Sequence, residues 1–387
     1  MRTAPSTGDK SMKKTTVPSS RRAWIAAASL ALSLPAMADA LIGVSLPQTG
    51  PKALVGRNFK QGVELAVAEI NAAGGVLGKP LEVVFEDDQG DNPNGAINAV
   101  NKLMQVSKVP VMIGPHYSVT QMATQKTYCN GKVVSLTGGT SVAITHSGCN
   151  YVIRTRSDDD VQAKALIAYA QKELKAGEKT AIFYANDDFG KSGQARVVAQ
   201  MASLGLKPVA VESHNPSDKD YSAQLAKLQK AGAELVILWA HDTDAALILR
   251  QAKQFGLPFK FAGAVLSEEA FLKLAGSAAE GSMSASYFVP TDPNPAVQAF
   301  VKKYEAKYRM APDVWSATYY DATILAARAI NEARSPDVEK IREAFSRVSY
   351  SGLLADYKCD KAGDCNRQVN IVEIKGGQPV VRSVVKF

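Results

Sequence analysis

Residues 41–75 read "LIGVSLPQTGPKALVGRNFKQGVELAVAEINAAGG". The segment "LIGVSLP" (41–47) is a short apolar strand. Beyond it Phe59, Val63, Val67 and Ile70 recur at helical spacing and the pattern stops at Gly74-Gly75, so a strand passes into a helix. The same beat repeats downstream. "PLEVVFEDD" (80–88) alternates like a strand, and "NPNGAINAVNKLMQV" follows with Pro93 just inside a helix start. "VPVMIG" (109–114) with a helix from Ser118, "KVVSLT" (132–137) and "YVIRTR" (151–156) continue the series, and the next helix is entered through Asp158-Asp159-Asp160.

A second series then begins: "KTAIFYA" (179–185) with a helix through Leu204, "KPVAVES" (207–213), a helix from near Tyr221, "ELVILWA" (234–240), a helix to Phe255, and "FKFAGAV" (259–265). Two βα series side by side predict an α/β protein with two doubly wound parallel sheets, whose ligand sites lie at the carboxyl ends of the strands. Residues 294–346 read as mostly helical. "VNIVEIKGGQPVVRSVV" (369–385) reads as a terminal hairpin turned at Gly376-Gly377.

The length, 387 residues, agrees with two lobes, because single cores stop growing at about 250–300 residues. The first forty residues stand apart. Lys13-Lys14 and Arg21-Arg22 precede the apolar run "AWIAAASLALSLPAMA", which ends in Ala36-Met37-Ala38, the pattern of a cleaved secretory signal peptide. That run is shorter than the roughly 20 residues a bilayer-spanning helix needs. Cleavage is expected after Ala38 or Ala40, by the ordinary secretion route, since the twin-arginine pattern around "SSRRAW" is poorly matched. Residues 1–40 carry six of the 45 Lys/Arg and two of the 37 Asp/Glu, which leaves 39 against 35 and a mature net charge of +4. These charges are interspersed, with no basic block or Arg-aromatic stripe, so nucleic acid is not an expected partner.

All four cysteines, Cys129, Cys149, Cys359 and Cys365, fall in the part predicted to be exported, where disulfides are permitted. Three pairings are possible; the local one, Cys129–Cys149 with Cys359–Cys365, joins nearest neighbours and would clip the loop "CDKAGDC". Two disulfides are predicted. A zinc site would want Cys-x-x-Cys pairs or histidines at helical spacing, and neither is present, so no metal or cofactor is expected.

Two Gly-Lys pairs, in "GGVLGKP" (74–80) and "FGKSG" (189–193), miss the spacing of a phosphate-binding loop and read as a helix-ending turn and an exposed βα loop. Ser118 has stronger credentials. It follows the strand "VPVMIG" and opens a helix, where its hydroxyl and the neighbouring amides favour an anion. The next junction, "TGGTS" (137–141), repeats the chemistry: Gly138 and Gly139 allow close approach to the backbone and Thr140 offers a second hydroxyl. Helix capping accounts for a lone serine at such a place; a pair at adjacent strand ends points to one acceptor-rich group, most simply a carboxylate. A nucleophilic Ser118 would need His116 as base, a third group and an oxyanion hole, yet the four histidines are scattered and no Gly-x-Ser-x-Gly elbow is present.

These segments carry a resemblance. "IGVSLPQTGP", "GVELAVAEINAAGGVLGKPLEVVFEDDQGDNPNGAINAVNKLM", "VMIGPHYSVTQMA", "SLTGGTS", "VIRTRSDDDVQ", "YANDDFGKSG" and "LRQAKQFGL" together resemble the periplasmic binding proteins for leucine, isoleucine and valine, of the type-I ABC-importer class. The likeness covers nearly all of the chain after residue 40. It implies two lobes joined by three crossings, residues 41–157 with 290–366 and residues 158–289 with 367–387, closing over a ligand. On the first lobe Ser118 matches the serine used on the ligand carboxylate, and Gly138, Gly139 and Thr140 match the segment that contacts carboxylate and amino group. On the second, Phe189 falls where relatives place an aromatic wall, and His241-Asp242 where leucine binders have paired tyrosines.

One departure stands out. Where amino-acid binders of this family carry a glutamate for the ligand ammonium, "FAGAVLSEE" (261–269) has Val265, so either Asp242 takes that role or the ligand has no α-amino group. Glu268 and Glu269 read as the start of the following helix. Val55 replaces a larger aromatic, leaving room for a bulky carboxylate bordered by Tyr117, Phe189 and His116. The resemblance therefore implies a monomeric periplasmic receptor that is no enzyme, takes a small carboxylate ligand (an amino acid or an aromatic or other organic acid) and serves an inner-membrane ABC permease. A sensor of the same fold with an amide-type ligand, and less readily a serine hydrolase, are the alternatives.

Overall fold

The opening strand and helix form as β1 (Ala40–Leu46) and α1 (Ala53–Ala72) in a computed structural model that describes residues 40–174, 179–216 and 218–387. The leader read over residues 1–40 lies outside the described residues, Ala40 apart. Helix α1 buries Val55, Phe59, Val63 and Ala66 completely or nearly so, whereas Val67 and Ile70 are only half-buried. Its core-facing stripe thus rotates toward Leu65 and Ala66 in the last two turns.

The first sheet takes in β2 (Leu81–Asp87), β3 (Val111–Ile113), β4 (Val134–Thr137) and β5 (Val152–Arg154). Helix α2 (Pro93–Asn101) starts as Pro93 predicts, with the Asn92 side chain accepting from the N–H groups of Asn94 and Gly95. It continues through one π-helical turn, Lys102–Val106, before β3; α3 (Ser118–Asn130) leads to β4. The strand order β2-β1-β3-β4-β5 is parallel throughout, and the direction in which successive strands are added reverses between β1 and β3.

The second sheet is built from α4 (Asp159–Leu174), β6 (Thr180–Ala185), α5 (Asp188–Ser203), β7 (Val211–His214), α6 (Ser222–Lys230), β8 (Leu235–Trp239), α7 (Asp242–Gln254), β9 (Lys260–Ala264), α8 (Glu269–Ala275) and β10 (Met283–Ser286). Helices α9 (Pro295–Tyr308), α10 (Val314–Ala333) and α11 (Val338–Ala344) follow, then the small ribbon β11 (Ser349–Ser351) and β12 (Asp356–Lys358), and finally the hairpin β13 (Gln368–Lys375) and β14 (Gln378–Lys386). The order is β14-β13-β10-β9-β8-β6-β7, with β7 to β10 parallel and the hairpin antiparallel on one edge. The chain passes between the sheets after β5, after β10 and after β12. This is the two-lobed, doubly wound architecture with three crossings.

Several details differ from the sequence reading. Strand β7 starts four residues later than expected, beyond Pro208, whose ring nitrogen has no hydrogen to give a ladder. Strand β10, "MSAS", was not foreseen: it buries Ser284 and Ser286 as fully as its apolar residues, so it carries no hydrophobic alternation. "FGKSG" is the start of α5 and not a loop; the Asp187 side chain caps it by accepting from Gly190 N–H at 2.9 Å.

Both local disulfides are present, Cys129–Cys149 and Cys359–Cys365, and the described residues contain no free cysteine. The second clips the loop that carries Asp364 onto β5, where Arg154, completely buried, meets Asp364 at 2.7 Å and the Ser141 carbonyl at 2.7 Å. A guanidinium satisfied in this way is a structural tie across the first crossing.

Candidate ligand cleft

The reversal of strand order in each sheet opens a crevice beyond the strand ends, and the loops after β3, β4, β6, β8 and β9 meet there. His116, Tyr117, Ser118, Gly138, Gly139 and Thr140 line it from the first lobe. Phe189, His241, Asp242 and Val265 line it from the second. All ten residues singled out from the sequence therefore face one cleft.

Ser118 begins α3, the position before it being Tyr117, and makes no helix-capping bond. Its Oγ instead accepts the Ser141 N–H at 3.2 Å, which ties the two strand-end loops together and leaves its own proton to donate. Ordinary capping does not explain it. The Thr140 hydroxyl bonds Asp159, as does Ser192 of α5; burial first, against these two bonds, raises the Asp159 carboxyl to about 6. Val142 N–H reaches the Ser192 hydroxyl at 3.2 Å from the opposite side.

Gly138 has a structural duty that the sequence reading did not assign. A Cβ there would sit 2.4 Å from His116 Cε1, so only glycine leaves the imidazole its place. His116 is 3 % exposed and packs against Phe59 and edge-on to Trp315. Burial, and next the charge of Arg156, hold its pKa well below the ordinary value, so it is neutral. Arg156 Nη1 lies 3.1 Å from His116 Nε2; guanidinium nitrogens only donate, so Nε2 accepts and the ring proton sits on Nδ1. His116 makes no hydrogen bond to Ser118 among the described residues, and its accepting nitrogen is already engaged. The base that a nucleophilic serine requires is absent from this pair.

The second lobe brings His241 Nε2 to 2.6 Å from Asp187, beside Phe189 at a ring separation of 5.2 Å and Tyr117 at 6.2 Å. Asp242 is engaged: Lys52, at the head of α1, meets it at 2.5 Å with both side chains about nine-tenths buried. Burial alone would lower the lysine and raise the carboxyl, but the attraction between them outweighs it, so Lys52 is raised and Asp242 lowered. This pair spans the two lobes.

Three residues that matter were missed. Val265 adopts φ +59°, which folds the chain back so that Glu268 N–H bonds the Val265 carbonyl at 3.2 Å and the Glu268 side chain enters the cleft. Glu268 and Glu269 do stand at the start of α8, as read from the sequence, but the Glu268 side chain also faces the cleft. It immediately precedes that helix, is 4 % exposed, and is raised well above the carboxylate range, mainly by burial. Arg156 and Trp315 also line the cleft. A signal for Arg156 existed: it stands two residues past Arg154, beyond the end of β5, in the layer of strand ends that holds Ser118 and Gly138. Among the described residues no group of three His, Cys, Asp or Glu could hold a metal ion.

Two doubly wound lobes, three crossings and a cleft at the strand ends define a bilobal binding protein, and the chain belongs to the periplasmic binding protein family, whose model matches residues 41–378. Leu/Ile/Val-binding protein homolog 1 of Brucella suis is 30% identical over 344 residues, 87% of this chain and 91% of the relative. The leucine-binding protein of Thermotoga maritima superposes with a TM-score of 0.82 at 26% identity, covering 89% of this chain and 98% of that one. A solute-binding protein of an ABC transporter from R. palustris, in complex with benzoate, has the same fold, with a TM-score of 0.80 at 22% identity over 90% and 96% of the two chains. Family members are substrate-binding proteins of transporters. This chain is a solute-binding protein and no enzyme.

Proposed function

We propose that the chain is the exported receptor of an ABC importer, reaching the periplasm through a cleaved leader and acting as a monomer. It carries a small organic acid between residues 41–157 with 290–366 and residues 158–289 with 367–387. The ligand carboxylate meets Ser118 and the glycine-bared loop at Thr140, the second lobe closes, and an inner-membrane permease reads the closed form.

The observation that carries this reading is the Ser118 hydroxyl, buried at a helix start beside the Gly138-Gly139-Thr140 loop with its proton free to donate. An acid without an ammonium group fits best. Asp242 is spent on Lys52, Val265 offers no charge, and burial raises the Glu268 carboxyl and disfavours its charged form. The aromatic wall of Tyr117, Phe189 and His241 suits an aromatic or other bulky acid.

In a thermal-shift series benzoate raises the melting temperature and leucine gives little response. Ser118→Ala weakens the binding of the responding acid by about 1–3 kcal/mol, a hydrogen bond to a charged group; Thr140→Ala weakens it as well, since its hydroxyl also holds Asp159. Unchanged affinity in both variants removes the carboxylate site. A leucine response exceeding that of benzoate assigns Glu268 to an ammonium instead.

A further inference from the structure

Four buried polar atoms on the cleft wall have no partner among the described residues: His116 Nδ1, Arg156 Nε, Trp315 Nε1 and Glu268 Oε2. Three of them are N–H donors of a single cluster. Arg156 contacts His116 at 3.1 Å, its guanidinium lies 5.2 Å from the Trp315 ring and 4.1 Å from the Tyr287 ring, and the His116 and Trp315 rings meet edge-on at 4.7 Å. Arg156 is 6 % exposed and forms no ion pair among the described residues. Lys52, buried behind the cleft residue Asp242, is already neutralised by it, as Arg154 is by Asp364.

A guanidinium buried to this degree with no carboxylate in ion-pair contact, Glu268 being near it but raised by burial, is costly until an anion reaches it, and its planar fork suits a carboxylate better than any single acceptor. A hydroxyl or amide carbonyl would leave the positive charge uncompensated. The aromatic faces of Tyr287 and Trp315 hold the guanidinium in place by cation–π contact but do not use its Nε–H.

We propose that this corner receives a second acidic group of the ligand, with Arg156 as the residue that selects dicarboxylates over monocarboxylates of the same skeleton. The inference rests on the carboxylate-receptor reading above: one acid group at Ser118, the other at Arg156, His116 Nδ1–H and Trp315 Nε1–H. Glu268, whose buried Oε2 is unpartnered among the described residues, faces the corner from the second lobe, so closure completes it.

Isothermal titration of the purified protein with two matched series decides it: hexanoate, adipate and the adipate half-amide, and benzoate against isophthalate. On at least one skeleton the diacid binds tenfold or more tightly than the monoacid, and in Arg156→Met the ratio of diacid to monoacid affinity falls at least tenfold. Arg156→Lys, which keeps the charge without the fork, retains part of that ratio, and the comparison of acids on the unaltered protein stands even where a variant does not fold. Equal affinity for monoacid and diacid on both skeletons overturns the inference while leaving the receptor reading intact. A half-amide that binds best overturns it in favour of a neutral amide bridging Arg156 and Glu268. An unaltered protein that binds none of these acids overturns both readings.

Discussion

At φ +59° Val265 occupies a backbone region that a β-branched side chain avoids, and such strain costs on the order of 1–3 kcal/mol. The gain is local chemistry: the reversal carries Glu268, three residues further on, into the cleft. Val265→Gly relieves the strain and raises stability to urea by about 1 kcal/mol, less the small apolar contact it removes. A lower urea midpoint in the glycine variant shows that the valine packs better than its backbone suggests. The same valine explains why part of the site was legible in the sequence and part was not. Ser118, His116, Tyr117 and the Gly138-Gly139-Thr140 loop follow strands directly, so strand periodicity alone put them at the carboxyl ends. Glu268 depends on a left-handed turn at a residue type that rarely makes one, and local sequence rules assign it to the next helix. Arg156 and Trp315 reach the cleft from two of the chain's more distant parts, and only the folded topology unites them.

Helices α1 and α10 form the principal packed pair of the first lobe, and their approach is set by one missing atom. A Cβ on Gly62 would lie 2.1 Å from the Ser316 carbonyl oxygen, so the backbones touch where glycine sits. Gly62→Ala gains helix propensity of about 1 kcal/mol but forces the helices apart at a buried face, an overpacking that costs about 1–3 kcal/mol or more. A net loss is expected, read as a lower urea midpoint with an unchanged slope. The α1 element was plain from its apolar spacing, and so were the βα units and the terminal hairpin. Strand β10 and the β11–β12 ribbon were not, because MSAS is buried throughout without hydrophobic alternation and the three-residue strands of the ribbon are too short for their alternation to register.

Over the whole molecule, buried carboxyls shape the response to pH. Burial raises Asp88 from 3.8 to about 7, against the bonds it accepts from Gly90 N–H and the Ser45 hydroxyl; Asp159 and Asp321 are both raised to about 6. A carboxyl whose folded value exceeds its unfolded one stabilises the fold below the unfolded value, and that contribution is lost as pH rises through the folded value. Asp88 therefore withdraws stability between 3.8 and about 7. Asp88→Asn removes this slope, so melting temperatures of the variant and the parent protein, compared at pH 5 and pH 8, shift in the variant's favour at the higher pH. A difference that is flat across that range refutes the assignment.

The close fit of α1 against α10 also sets a timetable. Gly62 and Ser316 stand about 250 positions apart, and a ribosome adds roughly 5–20 residues each second. For some 10–50 seconds at those rates, the face bearing Phe59 and Val63 exists without the helix that covers it, while the strands β6 to β10 of the second sheet are being made. The amino-terminal half of this chain is thus the first to be synthesised and among the last to be finished, and throughout that interval it offers newly made apolar surface to any chaperone able to hold it.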